Sequence, residues 1–322
     1  MKAIVYTKYG PPDVLQLQDI EKPSPKNNEV LVSVHAASVN ALDWRPFTMP
    51  LIFVRMMRGG LFEPKDTSLG ADIAGRVQAV GAAVKQFQLG DEVFGACRGA
   101  LAEYVCAAED RLVLKPANLS FEAAAAVPVA ALTALQGLRD KGKIQPGQKV
   151  LINGAGGGVG TFAVQIAKSF GAEVTAVCST RNLDVTRSIG ADHVIDYTQK
   201  DFTKSGERYD LIIAANGYHP ILHYRRALKP NGIYVVLGGS MAQIFQVLLL
   251  GPLLSRLGNK KMRIMLTHPS QKDLVFLREL LETGKIVPVI DRSYPLGDVA
   301  EAIRYLLQGH ARGKVVITVE HN

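Results

Sequence analysis

The residues of this chain whose types and spacing could do chemistry begin with a run of glycines. In "VLINGAGGGVGTFAVQIAK", Gly154, Gly157 and Gly160 stand between a strand-like apolar run and a helix-like one. At that spacing they supply a tight turn, a close backbone approach to a pyrophosphate and a close helix–strand contact. The helix that follows, starting near Val159, turns free N–H groups toward the phosphates. A glycine cluster alone also reads as a permissive turn. The strand before it, the helix after it and a second strand, "EVTAVC", select the dinucleotide reading.

That second strand hands over to "STRN", residues 179–182. A site for an unphosphorylated adenosine ribose would carry Asp or Glu there, and an acid would repel a 2′-phosphate. Ser179, Thr180 and Arg181 instead offer hydroxyl donors and a planar cation, which suit phosphate. The expected cofactor is therefore NADPH. The alternative is a solvated loop entering a helix, with Asn182 as its cap. Tyr197, which closes the next strand in "HVIDY", is placed to approach the same phosphate or the adenine.

These residues need a scaffold, and the chain supplies one in two styles. Up to about residue 120 it runs in short alternating segments such as "KAIVYT", "EVLVSVHAAS" and "IAGRVQAVG", punctuated by Gly, Pro and Asp, as in an irregular β-rich domain. "SFEAAAAVPVAALTALQGLRD", 120–140, reads as helix with Ser120 as N-cap. After "QPGQ" strands and helices alternate ("KVLING", "EVTAVC", "HVIDY", "YDLIIAAN", "IYVVLGG", "RIMLTH"), the pattern of a parallel sheet covered by helices on both faces. Two amphipathic helices and a strand, "GKVVITV", close the sequence. The expected fold class is α/β, a doubly wound parallel sheet joined to a smaller β-rich domain.

Composition narrows the class. With 322 residues, 48% of them apolar, the chain can bury two cores. Its longest apolar patch, "IFQVLLLGPLL", is shorter than the roughly 20 residues a spanning helix needs and contains Pro252. The start, "MKAIVYTKYG", reads directly into a strand, so a cytoplasmic location is expected, or an organellar one if a transit peptide has been removed. Three cysteines form no disulfide framework. The net charge of +8 comes without aromatic-rich basic motifs, so nucleic acid is not an expected partner.

Over its whole length the chain resembles the medium-chain dehydrogenase/reductase superfamily, in its zinc-free quinone oxidoreductase branch. The resemblance is carried by "AASVNALDWR" (36–45), "LGADIAGRVQAVG" (69–81), "GDEVFG" (90–95), "PVAALTALQGL" (128–138), "GAGGGVG" (154–160) and "GHARGKVVI" (309–317). Within the branch, "STRN", "GADHVIDY" and "AANG" are most similar to plant NADPH-dependent enone and alkenal reductases, chloroplast-envelope quinone oxidoreductase homologues among them. The resemblance implies a GroES-like catalytic domain over 1–121, completed by 268–322, and a Rossmann NADPH-binding domain over 122–267.

Zinc-dependent relatives place a Cys, and later Gly-His-Glu, at the active site. Here the matching positions are Asn40 and Gly70-Ala71-Asp72, so neither thiolate nor imidazole is offered to a zinc ion. Cys97 and Cys106 are two cysteines where a structural zinc lobe needs four, and His219 with His223 reads as chance i, i+4 spacing. No metal is expected. Reduction of an activated π-system needs no Lewis acid, because a conjugated carbonyl or quinone itself takes up the charge that arrives with a hydride.

The resemblance further implies roles. Asn40 would offer an amide to the acceptor's carbonyl. Arg45 stands where the plant enzymes carry a lysine, and Thr133 resembles the threonine that approaches nicotinamide. Asn40, Arg45 and Thr133 thus form the candidate catalytic set. Gly158, Val159, Asn216, Leu237 and, more weakly, Lys314 fall at cofactor-lining positions. Each has a structural alternative: a turn cap for Asn40, a surface ion pair for Arg45, an ordinary helix residue for Thr133. Asp43 and Asp72 read equally as structural or catalytic carboxylates.

Two apolar stretches, 47–66 and 241–258, suit either a long hydrophobic acceptor or a homodimer surface. The expected activity is NADPH-dependent reduction of the C=C bond of α,β-unsaturated carbonyls. Quinone reduction on the same fold is the alternative, and a non-catalytic NADPH-binding partner protein is the reading from another class.

Overall fold

A computed structural model describes residues 1–44, 63–65, 67–309 and 311–321. Along the first part of the chain lie β1 (Lys2–Val5), β2 (Gln16–Asp19), β3 (Glu29–Val39), helix α1 (Ala41–Trp44), β4 (Asp72–Val80), β5 (Glu92–Ala96), β6 (Tyr104–Ala108) and β7 (Leu112–Leu114). Helices α2 (Phe121–Ala125) and α3 (Pro128–Gln136) follow. The alternating part contains β8 (Lys149–Asn153), α4 (Gly158–Ser169), β9 (Glu173–Cys178), α5 (Leu183–Ser188), β10 (His193–Asp196), β11 (Tyr209–Ala214), α6 (Ile221–Ala227), β12 (Leu228–Val236), α7 (Met241–Arg256) and β13 (Lys261–Ile264). The chain ends with α8 (Gln271–Glu282), β14 (Ile290–Pro295), α9 (Val299–Leu307) and β15 (Lys314–Thr318).

Two compact units result. The first holds Met1–Val129, Pro269–Glu282 and Pro288–Asn322; the second holds Ala130–His268 and Thr283–Val287. In the first unit a mostly antiparallel sheet runs β14-β15-β3-β4-β5-β7, with β6 added to β3. Strand β3 is covered on both faces, so "EVLVSVHAASV" is apolar nearly throughout instead of alternating. Its core gathers Val30, Val32, Val34, Ile73, Val93, Leu112, Ile303 and Ile317.

The second unit is a six-stranded, wholly parallel sheet in the order β10-β9-β8-β11-β12-β13. Counted from β8, this is the 3-2-1-4-5-6 order of a doubly wound dinucleotide-binding sheet, whose direction of winding reverses between β8 and β11. Ligands of such sheets sit outside the carboxyl ends of the strands at that reversal. Helix α4 packs on the sheet with Phe162, Ala163, Val164, Ile166 and Ala167 all buried.

The single helix expected over 120–140 is two. Ser120 caps α2 as anticipated, its Oγ accepting the Ala123 N–H at 3.2 Å. The helix then stops at Ala125, and a new one starts at Pro128. Proline has no N–H to continue the ladder and disfavours helical geometry in the residue before it, while its fixed φ suits a helix start. Helix α6 ends at Ala227, and Asn231 turns the following chain with φ 63°.

Candidate functional site

In the second unit, the carboxyl ends of four neighbouring strands gather the sequence-derived candidates. Gly154 follows β8, Ser179 follows β9, Asn216 lies two residues past β11, and Leu237 follows β12. Gly154 has φ +84°, and a Cβ there would lie 2.7 Å from the Asn216 nitrogen. The turn it makes brings its carbonyl under α4, where a Cβ on Gly160 would meet Gly154 O at 2.1 Å. Gly154 is thus required by contact as well as by conformation, and Gly160 by contact. Gly157 differs. It is the N-cap of α4, no side chain caps the helix, and a Cβ added to it would find Gly154 O at 3.7 Å as its nearest neighbour. The space before the helix start is open, and first-turn N–H groups have no partner within a helix. Twelve residues of aligned peptide dipoles stand behind that opening. Gly158, Val159 and Gly160 form this first turn.

A second cradle adjoins it. A Cβ on Gly156 would lie 2.4 Å from Nδ2 of Asn182, so only glycine lets the turn close onto this side chain. Asn182 is buried, its Nδ2 donates to Ser179 Oγ at 3.4 Å, and its Oδ1 has no partner. A buried acceptor without a donor is costly unless a ligand supplies one. An open helix N-terminus and an unpartnered acceptor on the adjoining loop fit a dinucleotide's pyrophosphate and ribose hydroxyl.

The "STRN" loop is organised by a residue that sequence reasoning passed over. Strand β10 pairs with β9 so that Asp196 lies opposite Cys178. Thr180 Oγ1 donates to Asp196 Oδ2 at 2.6 Å, and Oδ1 of the same carboxylate accepts the Thr198 N–H at 2.9 Å and its hydroxyl at 2.8 Å. These bonds, Thr180's first among them, hold the Asp196 carboxyl below the usual range. The Thr180 hydroxyl is thus bonded to Asp196 in this structure. Ser179 is part-exposed, and Arg181 and Tyr197 lie on the surface of the same corner. The signal was the strand pairing: an acid at the tip of β10 is one inter-strand step, about 4.8 Å in an ordinary sheet, from the tip of β9.

Thr133, on α3, is buried and shares a hydrogen bond of 2.7 Å with Thr267 Oγ1. Behind the strand ends lies a polar network that sequence reasoning also missed. Asn153 Nδ2 donates to Tyr224 OH at 2.8 Å, and Gln243 Nε2 to Tyr234 OH at 2.7 Å, while the two tyrosine rings stack at 4.4 Å. Burial pushes the Tyr224 phenol up to about 12. His219 and His223 pack among aromatic rings, His219 edge-on to Phe202 at 4.9 Å.

In the first unit, Asn40, Asp43, Asp72 and Lys314 form a buried cluster. Asp72, fully buried, accepts from Ser38 Oγ at 2.7 Å, from Asn40 Nδ2 at 2.8 Å, from Lys314 Nζ at 3.3 Å and from the Val129 N–H at 2.8 Å. Lys314 Nζ also donates to Asn40 Oδ1 at 2.6 Å and Val39 O at 3.4 Å. An ammonium only donates, so this bond fixes which end of the Asn40 amide is oxygen. The second Nδ2 proton is held only by a long contact, 3.4 Å, to Ser38 O. Lys314 is 3% exposed, with three acceptors for its three protons. Asp43 accepts from the N–H groups of Asn40 at 2.7 Å and Gly70 at 3.1 Å. Arg45 and most of 47–66 lie outside the described residues.

Residues 26–117 match the alcohol dehydrogenase GroES-like domain family and residues 189–317 the zinc-binding dehydrogenase family. The chain is 34% identical to the chloroplast envelope quinone oxidoreductase homolog of Arabidopsis thaliana over 98% of both proteins. The chain belongs to the medium-chain dehydrogenase/reductase superfamily. It is also 34% identical to the NADPH-dependent alkenal/one oxidoreductase of the same plant, over 98% of this chain and 79% of that protein. Among solved structures, the quinone oxidoreductase from Coxiella burnetii superposes with a TM-score of 0.87 at 31% identity, covering 99% of each chain. The superfamily is one of nicotinamide-dependent oxidoreductases, in keeping with the fit of the glycine turn. The zinc of its dehydrogenases fits this chain poorly. Asn40, Ala71 and an Asp72 already tied to Lys314 offer no open thiolate or imidazole. Among the described residues, no group of three or more His, Cys, Asp or Glu could hold a metal ion.

Two outcomes follow. Gly157→Ala should leave the thermal midpoint within about 2 °C yet raise the Kd for NADPH at least about tenfold, read by fluorescence titration. Burial first, then the charge of Asp72, raises the Asp43 carboxyl from 3.8 to about 6, against the pull of two N–H donors and Lys314. The folded state therefore binds a proton that the unfolded state has released, and stability falls as pH rises from about 4 to about 6, then stays level. In urea unfolding, Asp43→Asn should remove this fall, which amounts to at most about 3 kcal/mol.

Proposed function

We propose that this chain is an NADPH-dependent, zinc-independent reductase of the C=C bond of α,β-unsaturated carbonyls. The observation that carries the reading is the corner formed by the open start of α4 and the acid-free loop Ser179–Asn182. The first turn of α4 holds the pyrophosphate by backbone N–H groups. Arg181 and Ser179 meet the 2′-phosphate, with Tyr197 beside them, and Asn182 Oδ1 accepts from a ribose hydroxyl. Asp196 does not take the ribose as an acid at the end of β9 would; its lone pairs are engaged by Thr180 and Thr198.

Bound NADPH supplies a hydride to the β-carbon of the acceptor, whose conjugated carbonyl takes up the charge. The amide of Asn40, held in one orientation by Lys314 and Asp72, is the donor offered to that carbonyl oxygen through its second Nδ2 proton. Thr133 stays a candidate for the nicotinamide contact, and Arg45 for charge stabilisation. The relatives named alkenal/one oxidoreductase and quinone oxidoreductase support this class of acceptor. Quinones are the second reading, because two of these three carry quinone in their names.

The test is kcat/KM for NADPH and NADH with one enone and one ortho-quinone, for the natural protein and Arg181→Ala. NADPH should be preferred at least about tenfold with the enone consumed. Arg181→Ala should lower the NADPH value about ten- to a hundredfold and leave the NADH value nearly unchanged. Turnover of quinone alone would move the function to the second reading. Tight NADPH binding without turnover of either acceptor would make the protein a binding partner and not an enzyme.

A further inference from the structure

The charge of this chain is not evenly spread. Between Asp210 and Asp273 there is no carboxylate side chain, while eight Lys and Arg occur. The other 29 basic residues are balanced by 29 acidic ones, so this one segment accounts for the whole net charge of +8. The same segment contains α7, "MAQIFQVLLLGPLLSR". That helix buries Gln243, Val247 and Gly251, positions four apart that make one face. Its opposite face carries Phe245, Leu248, Leu249, Leu253 and, just past the end, Leu257, all exposed. Leu249, near the middle of that face, is 75% exposed, Leu257 64% and Leu253 55%. A stripe of leucines along a helix about 24 Å long is more apolar surface than the packing of the second unit requires.

Cations gather at the C-terminal end of the stripe. Arg225 Nη2 donates to Leu257 O at 3.0 Å, Lys260 Nζ to Arg225 O at 2.9 Å, and Lys261 Nζ to Ser255 O at 3.1 Å. Arg256 is exposed beside them. The carbonyls at a helix end draw positive charge, but that accounts for one or two cations, not for a crowd without an acid. Lys260 is held below the ordinary ammonium range by burial first and then by the charges of Arg225 and Arg208. Among the described residues, Arg225, Arg256, Lys260 and Lys261 form no ion pair.

We infer that α7 and the cations at its end form a docking surface for an anionic lipid bilayer, on which the helix lies with its leucines in the headgroup boundary. An apolar stripe flanked by basic residues is the pattern of a helix that rests in a membrane interface without crossing it. No described helix is long and apolar enough to cross a membrane. A second copy would bring the same cations and, from this segment, no carboxylate to meet them, whereas anionic headgroups do. The inference does not rest on the catalytic reading.

The experiment is flotation of the intact protein with vesicles of phosphatidylcholine alone, and with vesicles containing about one-third phosphatidylglycerol. Co-flotation with the anionic vesicles only, lost at about 0.5 M salt, is expected. Leu249→Glu with Leu253→Glu should lower the bound fraction at least about tenfold, and Lys260→Gln with Lys261→Gln should lower it about fivefold or more. Both pairs should keep the natural thermal midpoint and the natural sedimentation coefficient. Equal behaviour with neutral and anionic vesicles would overturn the inference. So would leucine variants that bind vesicles normally but sediment as a smaller species, since the stripe would then belong to a second copy.

Discussion

The nucleotide unit depends on one steric constraint, the approach of the Gly154 carbonyl to the α-carbon of Gly160. A methyl group at Gly160 would stand 2.1 Å from that oxygen, far inside van der Waals contact, so the first turn of α4 sits directly against the end of β8. Everything in the candidate cofactor site inherits this closeness. It places the helix start at the rim of the parallel sheet, beside the reversal between β8 and β11 where ligands of such sheets bind. It also leaves Gly157 facing open space and lets Gly156 lean on Asn182. The glycines are therefore not interchangeable: Gly154 and Gly160 make the turn, while Gly157 leaves room for what the turn receives.

The first unit is organised differently, by charge in the interior. Asp72 and Lys314 are both buried, and an isolated buried charge would cost several kcal/mol. Their mutual pairing, with Ser38, Asn40 and the Val129 N–H, leaves none of these charges without a partner. The outcome is an amide, Asn40, whose orientation is set by a cation on one side and a carboxylate on the other. Asp43, in α1 and held by the N–H groups of Asn40 and Gly70, adds a second carboxyl to the same interior. Its titration is raised by burial first and by the charge of Asp72 after it.

Much of this was legible in the sequence, for identifiable reasons. Strand–helix alternation and the position of the glycines fix the type of sheet and where its ligand site falls, because both follow from local contact rules. The absence of an acid after β9 is a property of one short segment and needs no tertiary knowledge. What could not be read depends on strands meeting. The bond from Thr180 to Asp196 joins residues sixteen apart and exists because β9 and β10 pair with their tips level. That the Lys314 ammonium reaches Asn40 follows from the antiparallel pairing of β15 with β3. The stacked pair Tyr224 and Tyr234 is likewise invisible before α6 and β12 are brought together. The break before Pro128 follows from the proline itself, set in a run of alanines that otherwise favours one continuous helix.

The account's central claim is that the corner between α4 and the Ser179–Asn182 loop recognises a 2′-phosphorylated adenosine. Calorimetric titration of the intact protein with adenosine 2′,5′-bisphosphate and with adenosine 5′-monophosphate isolates that corner from the rest of the reaction. The account predicts that the bisphosphate binds at least about tenfold more tightly, with the advantage shrinking as salt is raised. Equal affinity for the two nucleotides, or tighter binding of the monophosphate, would contradict it.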